Sequence, residues 1–158
     1  MAQPARSLKL PDAEATTALG ARLAAALQSA APASLVVFLE GGLGAGKTTL
    51  VRGLLMALGH AGRVPSPTYT LVEPYELAGY RVLHLDLYRL TDPAELTELG
   101  LEDDFRGAFL ALIEWPDNGF GQLPEADILV RLDAISDGRR VDLVARTLAG
   151  ESVLSRLV

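Results

Sequence analysis

The sequence predicts one α/β domain over residues 1–158, with a mixed central sheet, helices on both faces and an antiparallel strand pair at the C-terminal end. Three observations carry this expectation. The apolar runs Leu35–Leu39 and Phe109–Ile113 have the length and composition of strands buried on both faces. Segments of helical periodicity alternate with such runs along the chain. Near the end, Ile128–Leu132 and Arg140–Ala145 alternate apolar and polar residues on either side of Asp137-Gly138, as a hairpin does.

The elements follow in order. Asp12 suits the N-cap of a helix reaching about Ala30, with Leu19, Leu23, Ala26 and Leu27 on one face and Pro32 closing it. The strand Leu35–Leu39 runs into a glycine-rich loop. A helix over 47–58 comes next, its apolar residues Leu50, Val51, Leu54, Leu55 and Leu58 at helical spacing before Gly59. After a loop from His60 to Pro67, the Thr/Tyr/Val-rich stretch Thr68–Tyr75 predicts a strand, and Gly79 turns the chain into a second, Tyr80–Leu87. Asp92, Pro93 and Glu95 start a short helix to Leu99. The strand Phe109–Ile113 leads to Glu114-Trp115-Pro116 and a Gly/Pro loop to Pro124, ahead of the closing strand pair.

Composition bounds the function. With 158 residues, 22% of them charged and 49% hydrophobic, the chain has the make-up of an ordinary soluble protein with one core. It has no cysteine, which excludes disulfides and thiolate chemistry and fits a cytoplasmic setting. No apolar run is long enough to span a bilayer, and the first residues lack the layout of a secretory signal. The net charge of −6 argues against tight direct binding of duplex nucleic acid.

Gly41 to Thr49 carry the strongest chemical signal. They read Gly-Gly-Leu-Gly-Ala-Gly-Lys-Thr-Thr and fit G-x-x-x-x-G-K-[ST] between a strand and a helix. Such a loop turns its backbone N–H groups toward phosphate oxygens, and the positive end of the following helix strengthens the grip. The fold expectation therefore sharpens to a single P-loop NTPase domain that binds a nucleotide with Mg²⁺. Leu43, Gly44, Ala45, Gly46, Lys47, Thr48 and Thr49 form the phosphate cradle. Lys47 reaches the terminal phosphates, and Thr48 gives its hydroxyl to Mg²⁺. The chain has only two lysines among fourteen basic residues, so one inside this loop points to a need for a compact ammonium.

Hydrolysis also needs carboxylates. Two apolar runs end in an acid, at Asp86 and at Glu114. Glu114 is assigned to the metal and Asp86 to water activation or support of the metal shell, although the sequence leaves their order open. Thr68, between the loop helix and the Asp86 strand, is the candidate γ-phosphate sensor. His84 shares a strand face with Asp86 and either lines the site or serves as a structural histidine. Trp115, the sole tryptophan, either packs near the nucleotide or a partner, or plugs the core edge.

Four motifs together resemble one family. Leu43–Thr49, Ser66–Leu71, His84–Arg89 and Glu114–Pro116 occur in the order and spacing of the bacterial TsaE (YjeE) family, the ATPase of tRNA threonylcarbamoyladenosine modification. The likeness runs from Leu10 to the final strand pair. It implies a P-loop ATPase that is weak alone and supports turnover of a TsaB–TsaD transferase, with tRNA held only indirectly. The family's loop Lys and Thr match Lys47 and Thr48, its metal-binding Glu matches Glu114, its acidic strand residue Asp86, and its switch-like Thr Thr68. It also implies nucleotide contacts at Arg139 and around Ala13 to Thr16. One departure is Gly42, which stands where the family usually has Asp. Three other readings compete: a non-catalytic ATP-sensing partner, a small-molecule kinase and a GTPase. No arginine-rich lid supports the kinase, and no Asn-Lys-x-Asp loop supports the GTPase.

Overall fold

Seven strands build one sheet in the order β1-β7-β6-β2-β5-β4-β3, in a computed structural model that describes residues 5–158. The strands are β1 (Ala5–Leu10), β2 (Leu35–Glu40), β3 (Val72–Leu77), β4 (Tyr80–Asp86), β5 (Phe109–Glu114), β6 (Ile128–Ile135) and β7 (Gly138–Ala145). Helices α1 (Ala13–Ala30), α2 (Lys47–Ala57), α3 (Ala94–Glu98) and α4 (Leu148–Leu154) connect or flank them, with a 3-10 turn at Pro116–Gly119. The inner four strands, β6-β2-β5-β4, run parallel, and the outer pairings β1–β7, β7–β6 and β4–β3 are antiparallel.

The strand period of two divides the core. Leu35, Val37, Leu39, Leu110 and Leu112 turn to one face, where α1, α2 and α4 cover them with Leu19, Leu23, Leu27, Leu54 and Val153. Val36, Leu83, Leu85, Ala111 and Ile113 turn to the other and pack under Leu87, Leu90, Leu96 and Leu101, from α3 and the turns around it. Each of these leucines, fully buried, contributes about 1.5–3 kcal/mol. Helix α2 is clamped to α1 through two glycines. A Cβ on Gly20 would lie 2.3 Å from the Leu50 carbonyl oxygen, and one on Gly53 would lie 2.1 Å from that of Thr17. That close approach fixes the helix that begins at the phosphate loop.

Several expectations needed correction. Strand β1 was not foreseen: only Leu8 and Leu10 give it an apolar face, and its strand character comes from pairing with β7, with Leu10 opposite Arg139. Helix α4 was missed as well. It is two turns long and contains Gly150, and its start is set by Thr147, whose hydroxyl accepts the Gly150 N–H. The expected strand Thr68–Tyr75 begins only at Val72. Residues 66–71 form a turn instead, closed by Leu71 N–H on the Pro67 carbonyl, with Leu71 at φ 69°. The hairpin strands extend further than expected, to Ile135 and from Gly138. The expected N-cap Asp12 is observed, its carboxylate accepting the Ala15 N–H at 2.9 Å.

Candidate functional site

The parallel strands β2, β4 and β5 all finish at one edge of the sheet. Their register sets Leu39 beside Glu114, and Glu114 beside Asp86. In open α/β sheets this carboxyl edge is where ligands settle. Burial supports its use. The buried polar or charged residues among those described are Thr16, Lys47, His84, Asp86 and Glu114, and the last four gather at this edge. Charged side chains are almost never buried unless they are paired, so such a concentration is a cost that the core does not need.

An open cleft of about 280 Å³ lies here. It is lined by residues 43–49 of the loop together with Thr68, Asp86, Glu114, Trp115 and Arg139. The residues of the loop, both acids, Thr68, Trp115 and Arg139 are thus brought to one place. The segment Ala13 to Thr16 is not among the lining residues; it forms the first turn of α1, with Thr16 buried and bonded to the Asp12 carbonyl. Two lining residues were missed, Ser66 and Tyr88. Ser66 could have been suspected from its place in the same turn as Thr68, whereas Tyr88 is visible only once β4 is placed beside β5.

The loop is built for close approach. Gly41 has φ 147°, and a Cβ there would meet the Leu132 carbonyl oxygen at 2.4 Å. Helix α2 starts after Gly46 with no side-chain cap, whereas α1 and α4 are capped by Asp12 and Thr147. The first N–H groups of α2 are therefore left to a ligand at its positive end. Lys47 turns back into the loop. Its ammonium donates to the carbonyls of Gly41 at 2.5 Å and Gly42 at 2.9 Å, and it sits 4.1 Å from the centre of the Trp115 ring. Burial pushes its pKa below the ordinary lysine value, against the opposing pull of Glu114 and Asp86.

The acids each hold a hydroxyl. Thr48 Oγ1 lies 3.1 Å from both oxygens of Glu114, and Thr68 Oγ1 donates to Asp86 at 3.1 Å. Asp86 also accepts the Tyr88 N–H, and Ser66 shares a 2.9 Å bond with Thr68. His84 is fully buried, and its Nε2 is 2.6 Å from Glu114. Trp115 adopts a left-handed backbone, φ 58° and ψ 51°, which costs a bulky residue roughly 1–3 kcal/mol and aims the indole face at Lys47. Arg139 donates from Nε to the Ala45 carbonyl at 2.7 Å, bracing the loop from the β7 side.

One hydroxyl with one or two carboxylates suits Mg²⁺, a hard cation commonly held by few protein oxygens with phosphate and water completing its shell. Among the described residues no group of three or more His, Cys, Asp or Glu side chains forms a metal cage of its own. Gly42 faces open space, with nothing within 4 Å of the place a Cβ would take, and it meets the site only through the carbonyl that receives Lys47.

Comparison with known proteins shows which family the chain resembles. The family model described as threonylcarbamoyl adenosine biosynthesis protein TsaE matches residues 10–141. The chain is 52% identical over 122 residues to a tRNA threonylcarbamoyladenosine biosynthesis protein TsaE of Haemophilus influenzae, covering 77% of each chain. The TsaE of Bacillus subtilis is 38% identical over 105 residues, 66% of this chain and 65% of its own. Among solved structures, the fold superposes on the crystal structure of Bacillus subtilis YdiB with a TM-score of 0.81 at 29% identity, covering 99% of this chain and 96% of that one.

Proposed function

Because the chain belongs to the TsaE family of threonylcarbamoyl adenosine biosynthesis proteins, we propose that it is the ATPase of that pathway, working in the cytoplasm with ATP and Mg²⁺. The observation that carries the proposal is one arrangement: an uncapped helix start, a buried lysine and a threonine hydroxyl midway between the oxygens of a buried glutamate. Nothing in that arrangement serves packing, and each part answers a need of bound triphosphate. No helix among the described residues is long and apolar enough to cross a membrane.

The contacts support a division of labour. The amides of residues 43–49 receive the phosphate oxygens, and Lys47 leaves its carbonyls for the terminal phosphates. Thr48 and Glu114 would hold the cation, and Mg²⁺ would supply positive charge to offset that of the phosphates. Asp86 and Thr68 form the opposite wall, Thr68 sensing the γ-phosphate and Asp86 orienting the attacking water. The link from Thr48 to Glu114 and from Thr68 to Asp86 supports this assignment of the two acids over the reverse.

The cleft offers few cations to a transition state. Among the described residues Lys47 and Arg139 are the only basic ones that line it, and the Nε of Arg139 is committed to Ala45. Charge developing on the transferred phosphoryl is then thinly stabilised, which supports weak turnover by the free chain and stimulation by partners of the TsaB and TsaD type. The negative net charge is consistent with tRNA being held by those partners.

The test is ATP consumption by the purified chain, alone and with a TsaB–TsaD pair. Marked stimulation by the pair is expected, and Glu114→Gln should lower the stimulated rate about 100-fold while leaving the fold intact. Transfer of phosphate to a metabolite with no partner present would overturn the reading in favour of a kinase.

A further inference from the structure

His84 bears no cleft surface, yet it is fully buried at the catalytic edge of the sheet. It stands two residues before Asp86 on β4 and opposite Leu112, two residues before Glu114 on β5. Side chains two apart on a strand share a face, so the imidazole lies one step beneath both acids. Its Nε2 is 2.6 Å from Oε2 of Glu114, while its Nδ1 is buried with no hydrogen-bond partner. Since a glutamate carboxylate only accepts, Nε2 carries the proton and donates.

Packing alone does not account for this residue: its buried Nδ1 without a partner costs about 1–3 kcal/mol, and the contact its other nitrogen makes is to a buried acid rather than to the core. What the imidazole does supply is a rigid donor to one oxygen of one carboxylate. Glu114 is otherwise held only by the Thr48 hydroxyl, which sits equally far from both of its oxygens and so does not choose between them.

We infer that His84 is the positioning residue of the cation site: its Nε2–H ties down Oε2 of Glu114, so that Oε1 and the Thr48 hydroxyl face the divalent ion that enters with nucleotide. This rests on the proposed ATP·Mg²⁺ site. A ligand carboxylate tethered by such a donor loses no orientational freedom when the ion binds, and loss of comparable outer contacts weakens metal affinity by about 10–100-fold.

The test uses the full chain loaded with ADP, with Mn²⁺ binding read by electron paramagnetic resonance and metal-free ADP affinity read by calorimetry in EDTA. His84→Leu should weaken Mn²⁺ binding about 10–100-fold and leave metal-free ADP affinity within about twofold. His84→Gln, whose amide N–H reaches the position of Nε2, should restore Mn²⁺ affinity to within about threefold of wild type, whereas the shorter His84→Asn should not. The Gln and Asn pair carries the test if the leucine variant does not fold. Mn²⁺ affinity equal in all variants overturns the inference, as does an equal fall in metal-dependent and metal-free binding. A wild-type chain whose ADP complex binds no Mn²⁺ removes the cation site itself, and this inference with it.

Discussion

Replacing Lys47 by Met keeps the aliphatic stem and removes the ammonium alone. In the structure that ammonium is buried, pinned by the carbonyls of Gly41 and Gly42 and seated against the Trp115 ring. Burial already works against its charge, so the variant should fold without large loss. The bound state differs. Bonds to phosphate oxygens then replace those to the Gly41 and Gly42 carbonyls, so the gain is the attraction of a cation for phosphate charge, about 4 kcal/mol near a protein surface. Against it stands the ring contact surrendered on binding, about 0.5–2 kcal/mol. The difference is at least about 2 kcal/mol, or a rise of roughly 30-fold or more in the Kd for ADP with Mg²⁺. Calorimetric titration measures it directly. Trp115 offers a second reading, because it is the only tryptophan and the ammonium lies over its face. Nucleotide should alter its emission in the wild type, and with a smaller amplitude in Lys47→Met. A Kd within threefold of wild type, or an emission change of full size in the variant, would refute the proposed role of this lysine.

Two further predictions concern the scaffold and the loop. Gly53→Ala drives a methyl into the Thr17 carbonyl, backbone against backbone, and should lower unfolding free energy by more than about 2 kcal/mol in urea; a loss under about 0.5 kcal/mol would mean that α1 and α2 are not in the contact described. Gly42→Asp adds a carboxylate into open space, so its melting temperature should stay within about 2 °C. Its charge near the cleft mouth should raise the Kd for ADP about two- to fivefold at low ionic strength, and added salt should shrink the difference.

How much of this was legible in the sequence depends on the range over which each feature is specified. The phosphate loop was readable because its chemistry is local: glycines, Lys47 and Thr48 act through one stretch of backbone, and their spacing is their geometry. Asp86 and Glu114 were readable for a less obvious reason. Each ends an apolar run, and in a parallel pair such ends reach the same edge whatever the intervening chain does. Which hydroxyl meets which acid was not readable, because it follows from how α2 and the 66–71 turn are seated. The same turn was mistaken for strand. Its Thr and Tyr content favours pairing, but Thr68 bonds to Asp86 and Leu71 is left-handed, so tertiary contacts override propensity.

Strand β1 marks the far limit of local reading. Its bonds run to the opposite end of the chain, Ser7 to Asp142 and Lys9 to Asp137, and nothing within Ala5–Leu10 announces them. His84 falls between these cases. Parity along one strand was enough to align it with Asp86, and this left two roles open. The deciding contact is to Glu114, on a different strand, so it required the register of β4 on β5. A buried histidine beside a strand-end acid is ambiguous by itself. Once the neighbouring strand is also known to end in an acid at the same level, the imidazole has a partner within reach and ceases to be a neutral packing choice.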